Sequence, residues 1–334
     1  MRALIIGIGG GGDVVSAYVA YEYYKRMGYE TSLGAVIWER YVEDPLPGPI
    51  CYDSLYNFQK INDSVYIVRG DTYAIRGNRK VIPQIARVLS VLKEKGYGIC
   101  IRKGPYYTFI DLYEAIKKEN FDLVVGVDAG GDVLAKGCED TLRSPLTDFT
   151  MLYILAKLKE KGINSVLGVI GAGSDGELDH DYVLKRISEI ASNDGLLDIK
   201  GIDKEMNKTL DKILEVANTE ASRIPVEAFR GYYGMKLLRG GRKKAKVDPT
   251  TAVMFFLDPT IVASTSPLLK LFNNVKDIDE LDETLRSNGI YSEYFFEKDL
   301  FRKFGLDTPN APPEEVEKIE KEGITRVGKP KIDC

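Results

Sequence analysis

Apolar runs of strand length alternate with amphipathic stretches of helical length through the first half of the chain. The runs consist mostly of Val, Ile, Leu and small residues, which is typical of strands buried on both faces of a sheet. They are ALIIGI, SLGAVIW, SVYIV, GICIR, FDLVVGVD and SVLGVIG. Between them apolar residues recur at helical spacing, and the predicted helices span about Val14–Met27, Ile82–Lys95, Phe109–Lys118 and Leu146–Lys161.

Strands that alternate with helices predict a parallel sheet with right-handed crossovers. We therefore expect a doubly wound α/β fold, Rossmann-like and mainly parallel, over residues 1–178. After Gly176 the pattern is mostly helical, with one further strand in TAVMFFLD. Residues 179–305 are expected to form a helix-rich part that packs on the same sheet and extends it. Residues 306–334 are expected to form a charged, proline-containing tail at the surface.

Composition narrows the function classes. The 334 residues carry 46 Lys and Arg against 50 Asp and Glu, which argues against general nucleic-acid binding. No apolar run approaches the roughly 18 residues of a membrane span. One histidine and four scattered cysteines argue against a Cys/His zinc site, and abundant Lys, Glu, Tyr and Ile suits a thermophile. We expect a cytoplasmic protein that binds a small molecule and forms a homo-oligomer.

Three glycine-rich loops follow three of the predicted strands in one pattern. GIGGGGDV aligns without a gap on GVDAGGDV, and GVIGAGSDG matches with one extra residue. Parallel strands bring these loops to the carboxyl edge of the sheet, where open α/β folds bind ligands. Each aspartate could simply cap its own helix, but the recurrence favours a shared site. Its predicted residues are Gly9, Gly10, Gly11, Gly12, Asp13, Asp128, Gly130, Gly131, Asp132, Gly171, Gly173, Asp175 and Glu177.

A dinucleotide is one ligand that these loops could hold. Gly7, Gly9 and Gly12 satisfy the pattern G-x-G-x-x-G, and Glu39 follows the second strand. An NAD(P) cofactor would place its pyrophosphate at the helix start and its ribose on Glu39. A run of glycines meets this pattern almost automatically, however, and Asp13 adds negative charge where the pyrophosphate would lie.

A divalent cation is the alternative that the carboxylates favour. Asp13, Asp132 and Asp175 could hold Mg²⁺ or Mn²⁺ through oxygen atoms, or act as general bases. A metal ion would also reduce the repulsion between these carboxylates and a phosphate. The amides of Gly9–Gly12 and Gly130–Gly131 would then contact that phosphate.

Further candidates lie outside the glycine loops. In RSPLTDF, Ser144 is the expected N-cap of a helix, and Asp148 one turn later either supports the helix start or faces the cleft. His180 closely follows the third loop and is a candidate general acid or base, although a lone histidine is more often structural. RGGRKKAKVDP is either a solvated loop or one that closes over phosphates. Asp258 would join the site if its strand is parallel.

The chain resembles a largely archaeal family known only as a domain of unknown function. The resemblance rests on GIGGGGDVV, WERYVEDPLPGP, VDAGGDVL, SPLTDF and GAGSDGEL, in that order over residues 5–180. It implies a Rossmann-like α/β fold and assigns no catalytic role. It adds as candidates Trp38, Glu39, Arg40, Asp44 and Pro45.

Together these features favour a small-molecule enzyme that acts on a phosphorylated or nucleotide-like metabolite by metal-assisted hydrolysis or group transfer. The long proline-containing segment at 40–58 is expected to cover the site. An NAD(P)-dependent oxidoreductase and a non-catalytic nucleotide-binding sensor remain as alternatives, because the sequence shows acids but no unambiguous nucleophile.

Overall fold

A computed structural model describes residues 1–334, and a nine-stranded mixed sheet runs through its centre. The strands are β1 (Arg2–Gly7), β2 (Glu30–Val36), β3 (Leu55–Tyr56), β4 (Gln59–Lys60), β5 (Val65–Val68), β6 (Tyr73–Arg76), β7 (Arg79–Val81), β8 (Gly96–Ile99), β9 (Leu123–Ala129), β10 (Asn164–Ile170), β11 (Leu196–Gly201), β12 (Gly234–Leu238), β13 (Lys243–Val247) and β14 (Val253–Leu257). The helices are α1 (Asp13–Arg26), α2 (Gln84–Leu92), α3 (Gly104–Lys118), α4 (Pro145–Glu160), α5 (His180–Ala191), α6 (Lys204–Val216), α7 (Arg223–Phe229), α8 (Pro259–Ser264), α9 (Ile278–Ser287), α10 (Glu293–Phe304) and α11 (Pro313–Val327).

Five parallel strands form the middle of the sheet in the order β10-β9-β1-β2-β8. From β1 the chain adds β2 and β8 on one side, then returns to add β9 and β10 on the other. The strand order therefore reverses between β1 and β9, as in Rossmann folds, and a crevice opens at the carboxyl ends of these two strands. The predicted α/β fold with a mainly parallel sheet is confirmed.

The outer strands are antiparallel to their neighbours, whereas the prediction took SVYIV as parallel and left the direction of TAVMFFLD open. SVYIV forms β5 but runs antiparallel to β8, and β14 runs antiparallel to β10. A short connection can join two antiparallel neighbouring strands, whereas two parallel neighbours need a longer crossover connection. Because β14 is antiparallel, Asp258 emerges at the edge opposite the three loops. There it caps α8 and accepts a hydrogen bond from Lys159 Nζ at 2.6 Å, so it takes no part in the site.

The part of the chain after the third loop contains more strand than the pattern predicted. β11 and β14 join the end of the central sheet, and β12 and β13 form a separate antiparallel hairpin. The basic stretch RGGRKKAKVDP is the turn and second strand of this hairpin, which corrects its interpretation as a loop. In β11 and β12 the exposed positions are occupied by apolar residues, namely Leu197, Ile199, Met235 and Leu237, so the alternation of apolar and polar residues that indicates a half-buried strand does not match the burial of these strands.

Two apolar cores lie on the two faces of the sheet. In β1, Ala3 and Ile5 point into the core beneath α1, α2 and α6, whereas Leu4 and Ile6 point into the core beneath α3, α4, α5 and α9. Successive side chains of a strand alternate between faces, which explains why ALIIGI is apolar throughout. Burying each of the larger side chains contributes about 1.5–3 kcal/mol.

Two disulfides and a buried arginine hold the segments that surround the carboxyl edge. Cys51, in the proline-containing segment, is bonded to Cys100 after β8, and Cys138 is bonded to the C-terminal Cys334. Arg76 anchors the same proline-containing segment through Asp44 Oδ2 at 2.7 Å and the Gly48 carbonyl at 3.1 Å. None of the helices has the length and apolar character that crossing a membrane would require.

Candidate functional site

Six carboxylates meet at the switch point of the sheet. Asp13, Asp128 and Asp148 form a first acidic group, and Asp132, Asp175 and Glu177 form a second acidic group; within each, one oxygen from every residue lies within 4.8 Å of the others. All except Asp175 are buried, with relative exposures of 8% or less. The predicted metal ligands are therefore divided between the two groups. Asp13 lies in the first with Asp128 and Asp148, and Asp132 and Asp175 lie in the second with Glu177.

The first glycine loop makes room for carboxylates. The Gly9 amide donates to Asp13 Oδ2 at 2.8 Å. A Cβ on Gly9 would lie 2.6 Å from that oxygen and 2.8 Å from Asp148 Oδ1, so no larger residue fits. The Gly11 amide donates to the Trp38 carbonyl at 2.8 Å, and both Gly10 and Gly11 have positive φ. The loop thus folds its backbone tightly around the first acidic group.

The second loop uses its glycines in the same way. Asp128, inside β9, accepts hydrogen bonds from the Gly131 amide at 3.0 Å and the Val133 amide at 3.3 Å. Gly130 has a φ of 139°, and a Cβ there would lie 2.5 Å from Asp175 Cγ. The absence of a side chain at Gly130 therefore lets the third loop bring Asp175 against the second.

The second acidic group is joined through Ser144. Its hydroxyl donates to Glu177 Oε1 at 2.8 Å and contacts Asp132 Oδ2 at 3.2 Å, and its amide donates to Glu177 Oε2 at 2.9 Å. Asp175 Oδ1 accepts from the Glu177 amide at 3.0 Å. Ser144 precedes α4 as predicted, but its side chain makes no capping hydrogen bond to that helix. It links two carboxylates instead.

The amides at the start of α4 are capped by a residue that sequence analysis missed. Glu293, at the start of α10, accepts from the Leu146 amide at 3.1 Å and the Thr147 amide at 2.8 Å. One turn further along α10, Glu297 accepts from Trp38 Nε1 at 2.8 Å. Nothing in SEYFFEK distinguishes these glutamates from solvated ones, apart from a spacing that puts both on one helix face.

Arg40 is the cation embedded among these acids. Its Nη2 donates to the Gly9 carbonyl at 3.0 Å. Burial opposes its charge, but Glu293, Glu297 and other nearby carboxylates outweigh burial and raise the pKa of Arg40. The family resemblance had placed Arg40 among the candidates, and the structure puts it beside the first loop.

Burial and mutual repulsion disfavour the charged forms of these acids. Burial, opposed in part by hydrogen bonds, raises the pKa of Asp13 to about 7, and burial with the charge of Glu177 raises that of Asp175 to about 7. The pKa values of three more are also raised, first by burial and then by neighbouring carboxylates: those of Asp128, Asp132 and Asp148.

The pKa of Glu177 is shifted in the opposite direction. Burial acts against its ionisation, yet the charges of Arg239 and Lys243, with hydrogen bonds from Ser144 and the Arg143 amide, lower its pKa overall. The second acidic group therefore contains one carboxyl group with a lowered pKa, that of Glu177, and a neighbour with a raised pKa, that of Asp175. Such a pair of unequal acids is a common feature of acid–base sites.

Two oxygens of the cluster have no hydrogen-bond partner. They are Asp148 Oδ1 in the first acidic group and Asp175 Oδ2 in the second, and both are buried. A buried carboxylate oxygen without a partner is costly unless a proton or a cation compensates it. Oxygen-only ligand sets of this kind suit Mg²⁺ and Mn²⁺.

Two predicted residues have hydrogen-bond partners outside this cluster. Both ring nitrogens of His180 have other partners, Asp181 Oδ1 at 3.0 Å and Thr250 Oγ1 at 3.1 Å. Glu39 Oε1 accepts from the Gln84 amide at 2.9 Å at the start of α2, so it does not occupy the position expected of a ribose ligand. Local sequence proximity brought both residues onto the candidate list, whereas side-chain direction depends on the packed helices.

The remaining glycines shape the loops. Gly171 and Gly173 have positive φ, and a Cβ would meet Ser174 Oγ at 2.6 Å or the His180 amide at 2.9 Å. A Cβ on Gly12 would overlap Thr219.

A separate cavity of about 300 Å³ lies beside α11 and is lined in part by Arg143, but none of the six carboxylates lines it.

Comparison of the sequence with protein families agrees with the resemblance seen in its motifs. The family model described as protein of unknown function (DUF1152) matches residues 4–301. The chain belongs to the DUF1152 family. In this DUF1152 protein the matched segment contains all three glycine loops, the six carboxylates and both glutamates of α10, whereas α11 lies beyond it. No curated protein sequence matches the chain.

Proposed function

We propose that this protein is a divalent-cation-dependent enzyme that acts on a small phosphorylated or nucleotide-like metabolite, by hydrolysis or group transfer. The observation that carries the proposal is the pair of acidic groups at the switch point, each with one buried oxygen that has no partner. Switch points are where open α/β sheets bind ligands, and unpaired buried carboxylates attract cations.

The residues divide naturally into ligands and bases. Asp13, Asp128 and Asp148 would hold Mg²⁺ or Mn²⁺ in the first acidic group, where all donors are oxygens. A bound divalent cation would polarise a phosphoryl oxygen and lower the pKa of a water molecule. Asp175, with an unpartnered oxygen and a pKa of about 7, suits a general base that removes a proton near neutral pH.

The alternatives receive less support from the contacts. A non-catalytic sensor would be favoured if each aspartate only capped its own helix. Instead, Asp13 bonds the preceding Gly9, Asp132 contacts Ser144, and Asp148 Oδ1 has no partner. An NAD(P) cofactor would need Glu39 at the ribose, but this side chain caps α2.

The proposed setting is the cytoplasm of a thermophile. Disulfides are rare in cytosolic proteins of mesophiles but common in intracellular proteins of hyperthermophiles. Two disulfides pair all four cysteines of this chain, and its Lys- and Glu-rich composition points the same way.

The test measures binding before turnover. Calorimetry with Mn²⁺ should show binding that Asp148→Asn weakens at least about tenfold, while the exposed Asp194→Asn binds like wild type. Thermal unfolding should then reveal a phosphorylated metabolite that raises the midpoint only with the metal present, and its conversion should depend on Asp175. Binding of NAD(P) without metal, or no metal binding at all, would contradict the proposal.

A further inference from the structure

The glycine loops leave few amides for a phosphate. Four amides that were expected to contact it donate to the protein: Gly9 to Asp13 Oδ2, Gly11 to Trp38 O, Gly130 to Ile170 O and Gly131 to Asp128 Oδ2. The six carboxylates also lie beside these loops, and their negative charge repels an anion. A phosphorylated substrate therefore needs a binding site on another element.

Positive charge is concentrated on the tip of the β12–β13 hairpin. We name as the cationic roof three residues of this tip, Arg239, Arg242 and Lys243, together with Arg143, which precedes α4. The hairpin tip lies against several segments at the carboxyl edge of the sheet: Arg239 approaches Glu177 of the third loop, and Arg242 Nη2 contacts Tyr41 Oη at 3.4 Å. The cationic roof therefore borders the second acidic group.

The charges of the cationic roof are only loosely compensated. Arg239 Nη2 lies 3.5 Å from Glu177 Oε1, while Arg143 and Arg242 each lie 3.8 Å from an oxygen of Glu320 on α11. Lys243 has no carboxylate within ion-pairing distance. Four cations thus share two carboxylates, and all their ion pairs are longer than a direct charged hydrogen bond of about 2.7–2.9 Å.

Lys243 has the surroundings of an anion ligand. It is half-buried and packs against Gly176, where a Cβ would lie 2.8 Å from Lys243 Cβ. Burial, together with the nearby charges of Arg239 and Arg143, lowers the pKa of Lys243 despite the opposing charge of Glu177. A bound anion would relieve the repulsion among these cations.

We propose that the cationic roof binds the phosphate group of the substrate, as a phosphate monoester or a diphosphate, beside the second acidic group. This rests on the proposed function, which it deepens by assigning the substrate's anionic end. Arginine forks match phosphate oxygens in pairs, and lysine adds a mobile point charge. Gly240 and Gly241 lie between the cations, with positive φ and open space around them, so the turn has room to adjust onto a ligand.

The experiment uses calorimetry to measure how tightly the protein binds pyrophosphate, inorganic phosphate and a sugar phosphate, each without metal and with Mn²⁺. Lys243→Met and Arg239→Gln should each weaken pyrophosphate binding about tenfold or more, and Lys243→Arg should retain most of it. Lys244→Met is the matched control, because Lys244 is the next residue on the same strand but is exposed. This variant should bind pyrophosphate as tightly as wild type does. Tighter binding of the sugar phosphate than of inorganic phosphate would identify an ester as the ligand.

Several outcomes separate this inference from the proposed function. If Lys243→Met binds pyrophosphate normally, or Lys244→Met weakens it equally, the cationic roof is not the phosphate site. If Mn²⁺ binds but no phosphate compound does, the inference fails and the metal site stands. If pyrophosphate binding depends on Lys243 but Mn²⁺ does not bind, the proposed function fails. A thermal unfolding midpoint of Lys243→Met close to that of wild type, measured without ligand or metal, shows that the variant folds.

Discussion

Glu293 Oε1 accepts hydrogen bonds from both the backbone amide of Thr147, at 2.8 Å, and its hydroxyl, at 2.7 Å. Through this contact the carboxylate of one helix caps another that lies 146 residues earlier in the chain. The cap holds the first turn of α4, and with it Asp148, against the first glycine loop. Burial raises the pKa of Glu293, and the favourable position of an anion at a helix N-terminus, with the charge of Arg40 and the hydrogen bonds from Thr147, opposes that rise in part.

Removing this cap should loosen the acidic cluster. Glu293→Ala leaves two amides without their acceptor and Arg40 with fewer counter-ions, so we expect a loss of about 1–3 kcal/mol in unfolding free energy. Glu293→Gln keeps one carbonyl acceptor and should lose less. Urea unfolding checks both, and equal losses in the two variants would show that the hydrogen bonds contribute little.

Replacing Asp148 should stabilise the metal-free protein while it weakens metal binding. Asn has nearly the same shape but removes a buried carboxyl group whose ionisation is disfavoured by burial and by neighbouring carboxylates, and whose Oδ1 has no partner. At pH 8 with chelator, we expect the unfolding free energy of Asp148→Asn to exceed that of wild type by about 1–2 kcal/mol. Addition of Mn²⁺ should stabilise wild type more than the variant, because the variant binds the metal more weakly. A variant that is less stable in chelator would show instead that the Asp148 carboxylate stabilises the folded protein, as its attraction to Arg40 would.

Stability without metal should fall as pH rises from about 4 to 7. Asp13 and Asp175 have pKa values of about 7 in the folded protein and 3.8 as their ordinary value. In this range the folded state holds protons that the unfolded state has lost, so stability that is complete below pH 4 is lost as pH approaches 7.

Thermal unfolding in chelator between pH 4.5 and 8 measures this dependence. Asp13→Asn should flatten the curve, and Mg²⁺ should restore stability mainly above pH 7, where the carboxylates are charged. A stability that rises steadily through this range would show that the cluster is ionised in the folded protein.

Gly130→Ala should lower the unfolding free energy far more than Gly162→Ala does. Both Gly130 and Gly162 have positive φ, but a Cβ on Gly130 would lie 2.5 Å from Asp175 Cγ, whereas nothing lies within 4 Å at Gly162. Backbone strain of about 1–3 kcal/mol applies to both alanine variants, and the contact with Asp175 adds to it only at Gly130. Adding Asp175→Ala should recover part of the loss in Gly130→Ala and none in Gly162→Ala, as a double-mutant cycle would show.

The disulfide between Cys138 and Cys334 should stabilise the protein by joining residues 196 positions apart. Cys334→Ser releases the C-terminus, and we expect a loss of about 2–4 kcal/mol in unfolding free energy. Thiol titration of the unfolded wild type without reductant should detect no free thiol, while Cys334→Ser should show one. Equal stability of the two proteins would mean that the closed loop contributes nothing.

The sequence by itself determined the centre of the fold. Continuous apolar runs and helical spacing are local signals, and they correctly predicted the parallel strands and the helices between them. The recurrence of glycine and aspartate after three strands also brought Asp13, Asp132 and Asp175 to one edge of the sheet, because parallel strands end together.

Tertiary structure alone decided how that edge is built. The directions of β5 and β14, the caps provided by Glu293 and Glu39, and the partners of His180 depend on residues distant in the chain, which local periodicity does not encode. The same holds for the division of the carboxylates into two groups and for the approach of Lys243 to them. Side-chain direction and burial arise only when the helices pack, and these set the charge of each acid.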